Sequence, residues 1–201
     1  VVLPKVESRA CLDELENVLA AAETAQGMAV GSLDLMPIIE TAAGVERARK
    51  IATADSRIKR MAFGGGDYTL DLNYEWNADE SVLAYARAKL SHAARLGNLE
   101  LPIDTVVLQI KDDERFLQSA RHGKQFGFGG KLCIHPAQIP LTHQVFTPSD
   151  EEIAHARAVV AAFEAAEAEG SASIQLDGYF IDYPIVYKSQ RILALADSLL
   201  S

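Results

Sequence analysis

Short apolar runs separated by amphipathic segments set the rhythm of this chain. VVLPKV at 1–6, LMPII at 35–39, IKRMAF at 58–63, IDTVVLQI at 103–110 and GKLCI at 130–134 are each of strand length. Runs of that size bounded by turn residues read as strands buried in a sheet. The segments between them carry a helical period. Residues 9–24 place Cys11, Leu12, Leu15, Val18 and Leu19 on one face behind Ser8 as N-cap, and 44–52, 78–96 and 112–126 follow suit. A strand and a helix alternating roughly every 25 to 40 residues predict a parallel α/β sheet with right-handed crossovers. Five strands are three short of a closed (β/α)8 barrel, and an open five-stranded sheet satisfies the same pattern.

After the fifth strand the rhythm changes. Residues 138–146 predict a short helix, and Ser149 with Glu152 forms a capping box ahead of an Ala-rich helix over 151–169. A Gly- and Ser-bearing loop over 170–181 leads to a last helix over 184–200, so the chain divides into a barrel-like part, 1–146, and a helical extension, 147–201. One segment fits neither period: DYTLDLNYEWNADE, 67–80, reads as a candidate active-site loop.

Composition narrows the class of protein. The 201 residues are 49% hydrophobic and 23% charged, enough for a sizeable core, and the net charge of −9 with scattered basic residues argues against a nucleic-acid partner. The two cysteines, Cys11 and Cys133, have no CxxC spacing and predict a reducing, cytoplasmic setting, with Cys133 packed in the interior. No apolar run approaches membrane-spanning length. The chain opens on a strand-like run without an initiator Met, so processing or truncation is expected to have removed what came before, and a closed barrel would place its three further strands before Val1.

Two of the strands close on acidic residues. Met36 to Ile39 runs into Glu40, and Met61 to Phe63 passes through Gly64, Gly65 and Gly66 to Asp67. Both carboxylates then sit at the C-terminal ends of neighbouring parallel strands, where α/β folds place their chemistry. Two such oxygen donors suit a Mg²⁺ that keeps water or substrate oxygens as its other ligands. The plainer alternatives are a carboxylate favoured by the dipole of the following helix for Glu40 and a turn or N-cap residue for Asp67. The glycines permit close approach of backbone amides to an anion or simply make a tight turn. Lys5, at its strand end, is available to an anionic substrate or to Glu7. Asp71 and Asp177 read as structural, and Lys131 lacks the GKS/T context of a phosphate-binding loop.

PKVES at 4–8, PIIETAAG at 37–44, FGGGD at 63–67, GFGGKLCIHPAQI at 127–139, VFTPSDEEI and LDGYFIDYPIV at 176–186 together resemble the citrate lyase β-subunit-like group of the HpcH/HpaI aldolase family. The resemblance runs through nearly the whole chain in order. It implies a (β/α)8 TIM barrel, of which this chain holds strands four to eight and the C-terminal extension. An Arg that grips a keto acid at the end of the family's third strand has no counterpart here. It implies Mg²⁺ held by Glu40 and Asp67, and Asp182 in FIDYP as catalytic acid/base, given by a neighbouring subunit of a homo-oligomer such as a trimer. Asp182 is also placed to cap the final helix. Gly65, Gly66, Lys5 and the segment His135, Pro136 and Ala137 are implied on the substrate and coenzyme A side, although His135 equally suits a structural role. Many relatives carry an acidic residue where this chain has Gly66.

The implied activity is cleavage of a 3-hydroxyacyl-CoA thioester, of the citryl-, malyl- or citramalyl-CoA type, into acetyl-CoA or a homologue and a 2-oxo acid. A thioester hydrolase using the same residues, and a non-catalytic subunit that binds CoA esters, are the competing expectations.

Overall fold

The computed structural model describes residues 1–54 and 56–200. Contacts divide the chain into two compact units, Val1–Phe146 and Thr147–Ser201.

The first unit is built from β1 (Val2–Leu3), α1 (Arg9–Ala25), β2 (Met36–Ile39), α2 (Ala42–Ala52), β3 (Ala62–Phe63), α3 (Gly65–Asp71), α4 (Ala84–Leu96), β4 (Ile103–Asp104), α5 (Asp113–Gln125), β5 (Gly130–Lys131) and α6 (Gln138–Phe146), with a single 3-10 turn, Ser81–Leu83, leading into α4. The strands lie in the order β1-β2-β3-β4-β5, and every neighbouring pair is parallel. A doubly wound sheet reverses its strand order at a switch point, whereas a barrel wall proceeds strictly in sequence. The consecutive order is that of a β/α barrel wall, here five β/α units long.

The predicted elements are present, with departures in this unit: the helix expected over 78–96 begins only at Ala84, behind the 3-10 turn, and the strands pair over two to four residues of their apolar runs. The apolar run 103–110 pairs only over Ile103–Asp104; beyond it Leu108 is 60% exposed, so its apolar residues belong to a loop. Residues 67–71, expected as loop, complete α3, which begins at Gly65. The face predicted for α1 is narrower than expected: Leu12 and Leu19 are buried but Val18 is 60% exposed, and Ser8 makes no capping bond with its side chain, which lies 3.4 Å from Cys11 Sγ. Cys133 is also exposed rather than packed, with Sγ 3.2 Å from the Thr142 hydroxyl.

Apolar packing of Ile39, Met61, Phe63, Leu83 and Leu90 fills the space between strands and helices. Within the same interior lies a charged cluster. Arg87 of α4 donates to both oxygens of Asp104 on β4, at 3.0 and 2.9 Å, and to Glu80 at 2.7 Å. Lys131 of β5 donates to Asp104 at 2.9 Å and to the Ser119 hydroxyl at 2.8 Å, while Arg115 of α5 reaches Glu80 at 2.8 Å. Arg87, Glu80 and Asp104 are all but inaccessible to water, and a buried charge is tolerable only when paired in this way. Gly123 belongs to the arrangement, because a Cβ there would fall 2.7 Å from Asp104 Oδ2.

A second pinned carboxylate orders the loop before β2. Glu23, buried on α1, accepts the amides of Gly31 and Leu33, each at 2.8 Å, and the Arg57 guanidinium at 2.9 Å. The Gly31 amide above all, with Leu33 and Arg57 behind it, outweighs burial and holds its carboxyl down at about 2.

The second unit contains α7 (Asp150–Ala168), β6 (Ile174–Leu176), β7 (Tyr179–Ile181) and α8 (Tyr183–Leu200). Ser149 and Glu152 make the reciprocal capping box on α7. The loop expected over 170–181 is instead a β-hairpin, antiparallel through Leu176↔Tyr179, turning on Asp177 and Gly178 with φ of 49° and 81°. A two-residue turn with both φ positive matches the twist of its strands. Val159, Phe163, Ile181 and Val186 form the core of this unit.

Replacing Arg87 by Met leaves Asp104 and Glu80 with fewer cations in the interior, and urea unfolding should show a loss of about 3–5 kcal/mol. Glu23→Gln should lower the thermal midpoint at neutral pH. Because the folded-state carboxyl titrates below its ordinary 4.5, its contribution is present above that value and is lost as pH falls towards about 2. The gap in midpoint between wild type and Glu23→Gln should therefore narrow over that interval.

Candidate active site

The ends of β1, β2 and β3 bring three charged groups together. Glu40 follows β2 directly, and Asp67 lies in the first turn of α3, after β3. Lys5 follows β1. Its backbone N–H donates to Glu40 Oε1 at 2.9 Å, and its Nζ stands 3.2 Å from Asp67 Oδ1. Lys5 thus pairs with Asp67 and not with Glu7. It does so from a left-handed backbone, φ 53°, a conformation that costs a residue with a Cβ about 1–2 kcal/mol.

The three glycines before Asp67 have three different surroundings. A Cβ on Gly64 would fall 2.5 Å from Glu40 Cβ and closer still to Glu40 Oε2, so Glu40 can lie against β3 only because position 64 is bare. The Gly65 amide donates to the Thr105 hydroxyl at 2.7 Å, and a Cβ there would crowd the same side chain. At Gly66 a Cβ would meet only the Trp76 ring, at 3.8 Å. The glycines therefore serve packing first: one admits Glu40 and one ties the start of α3 to the residue after β4.

Glu40 is buried, 7% exposed. Burial pushes its carboxyl above the usual range, the Lys5 amide pulls it back, and the negative charge of Asp67 adds to the rise. Two carboxylates this close in a partly dry site favour a cation between them. Their hard oxygen donors fit Mg²⁺. Among the described residues no group of three or more His, Cys, Asp or Glu is assembled, so a metal on this pair would draw its remaining ligands from water and substrate. Asp71 has another task, accepting the Ala42 amide at 2.8 Å at the start of α2.

Trp76 links this pair to a neighbouring cavity. Trp76, Glu80, Val107, Leu108, Gln109 and Arg115 line a solvent-open space of about 360 Å³ on the same, C-terminal, side of the sheet. The sequence signal for Trp76 is the aperiodic 67–80 segment, of which Trp76 and Glu80 stand in this wall. His135, Pro136 and Ala137 are exposed after β5, with His135 Nδ1 accepting the Ala137 amide at 3.2 Å. Lys131 is buried on Asp104 and Ser119. Asp182 belongs to the second unit, half-buried between β7 and α8, and its carbonyl accepts from the amides of Ile185 and Val186 at 3.0 and 3.1 Å.

Comparison with known proteins identifies the family. The chain is 38% identical over 196 residues to citrate lyase subunit beta of Leuconostoc mesenteroides subsp. cremoris, an alignment that takes in 98% of this chain and 65% of that protein. It thus spans about two-thirds of that relative's length. An L-malyl-CoA/beta-methylmalyl-CoA lyase of Cereibacter sphaeroides is 29% identical, over 98% of this chain and 67% of its own. Among solved structures, protein CitE of Mycobacterium tuberculosis, in complex with magnesium, acetoacetate and coenzyme A, superposes with a TM-score of 0.77 and 30% identity, covering 98% of this chain and 68% of that one. Residues 1–136 match the family model HpcH/HpaI aldolase/citrate lyase, and the chain, with its consecutive parallel strands and paired strand-end carboxylates, belongs to that family.

Proposed function

We propose that this chain is part of a Mg²⁺-dependent carbon–carbon lyase. Its substrate is a 3-hydroxyacyl-CoA thioester of the citryl-, malyl- or citramalyl-CoA type, and its products are acetyl-CoA or a homologue and a 2-oxo acid. The observation that carries the reading is the meeting of Glu40 and Asp67 at the ends of adjacent parallel strands, beside a cavity walled by Trp76. The magnesium, acetoacetate and coenzyme A held by the Mycobacterium tuberculosis CitE protein support it.

Cleavage moves charge from one side of a C–C bond to the other. The 3-hydroxyl loses its proton and becomes the carbonyl of the 2-oxo acid, while the bond electrons pass to the α-carbon of the thioester, which takes up a proton. Glu40 and Asp67 would hold Mg²⁺, which when bound supplies Lewis-acid polarisation of the substrate's hydroxyl and carboxylate oxygens. The Lys5 amide fixes the rotamer of Glu40 for that task. Asp182 exchanges the proton at the α-carbon; a carboxyl in a partly dry pocket suits such a role, and it acts from a neighbouring copy of the chain. The cavity beside Gly66 leaves room for the acyl arm.

Glu40→Gln and Asp67→Asn should each lower kcat/KM by about 10²–10³-fold, the scale of losing one preorganised electrostatic partner, and abolish Mg²⁺ binding in calorimetry. Glu40→Gln should unfold at the same temperature as the wild type or higher, since burial disfavours the ionised form. Full activity in both variants contradicts the metal assignment. Asp182→Asn should lose about 10²–10⁴-fold in kcat yet bind Mg²⁺ normally, and mixing it with Asp67→Asn should restore part of the activity. Chromatography of the products separates a lyase, which releases a 2-oxo acid, from a hydrolase, which releases free CoA.

A further inference from the structure

Lys5 bridges the two carboxylates of the site with two different parts of itself. Its backbone N–H is on Glu40 Oε1 and its ammonium is on Asp67 Oδ1. The backbone part is fixed, held in a left-handed conformation at the end of β1, the kind of strained position that persists only where its surroundings impose it. The side chain is different. It is 62% exposed, so the arm can swing off Asp67 without disturbing packed groups.

An ammonium 3.2 Å from Asp67 Oδ1 and a divalent cation on the same carboxylate compete for the same lone pairs and repel one another. We propose that Lys5 is a displaceable counter-ion: its ammonium pairs with Asp67 in the resting site, is expelled by the metal, and is then released to receive an anionic group of the ligand. The inference rests on Glu40 and Asp67 holding the metal. It adds an order of events, because the cation that would greet the ligand's carboxylate or phosphate is engaged until the metal arrives. The amide of Lys5 stays on Glu40 throughout, so one residue positions one ligand of the metal and screens the other. An exposed ion pair is weak, on the order of 0.2–1 kcal/mol, which a displaceable partner requires. That range corresponds to about a 1.4- to 5-fold change in metal affinity.

Mn²⁺ serves as the probe. Free Mn²⁺ is followed by electron paramagnetic resonance while it is titrated into the wild-type chain, Lys5→Met and Lys5→Arg. In parallel, wild-type lysines are acylated with and without Mn²⁺, and the Lys5 peptide is quantified by mass spectrometry. Met keeps an unbranched arm one atom shorter, and the backbone strain, while removing the charge. Lys5→Met should bind Mn²⁺ about 1.4- to 5-fold more tightly, Lys5→Arg should bind as the wild type does, and Mn²⁺ should increase labelling of Lys5. The labelling arm decides by itself should Lys5→Met not fold. Mn²⁺ bound by the wild type with Lys5 labelling unchanged or lowered overturns the inference, as does a folded Lys5→Met that binds no more tightly. Absence of Mn²⁺ binding in both wild type and Lys5→Met removes the metal reading itself, and the inference with it.

Discussion

Asp104 is the point on which the first unit turns. It is a carboxylate with no access to water, made tolerable by Arg87 from α4 and Lys131 from β5. These contacts lock the fourth and fifth strands to the helix that precedes them, and Ser119 and Gly123 bring α5 into the same arrangement. Thr105, the next residue, accepts the Gly65 amide. The geometry imposed on Asp104 is thereby passed to the start of α3 and on to Asp67. A buried ion network is weak evidence for stability as such, but losing one member of it is severe. Here its value is positional: it fixes where the backbone that carries the site can go.

The site itself is made by closeness that only missing side chains permit. Glu40 occupies the space a Cβ on Gly64 would need, and in that position its charge lies beside that of Asp67. Burial and the neighbouring charge of Asp67 disfavour the ionised form of Glu40, and the Lys5 amide and ammonium relieve part of that. The same imbalance is what the proposed divalent cation would relieve. Structural tolerance and chemical function come from the same contacts.

Much of this was legible in the sequence. The apolar runs marked all five strands, and the position of Glu40 and Asp67 at strand ends followed from where those runs stop. What failed did so for identifiable reasons. IDTVVLQI looks like a long strand, but a continuous apolar run does not say how far pairing extends, and Leu108 and Ile110 turn out exposed in a loop. GGDYTLD is too short for a helical period to show, so residues 67–71 read as loop although they complete α3. Asp177-Gly178 carried a hairpin signal, yet the flanking strands are three residues each, too brief to stand out among Ser and Gly. The pairing of Lys5 with Asp67 lies beyond any local pattern, since the two meet only when β1 and β3 flank β2.

The three glycines before Asp67 do not share one degree of freedom to change. A methyl group at position 64 collides with the side chain of Glu40, and one at 65 crowds Thr105. At position 66 it meets open space and the edge of an indole ring, and within a helix Gly is the weaker choice by about 1 kcal/mol relative to Ala. Divergence among descendants of this chain would accordingly be channelled through a single one of the three positions. That position stands between the carboxylate pair and the cavity wall, so drift there would reshape the space beside the pair without dismantling how the pair is built.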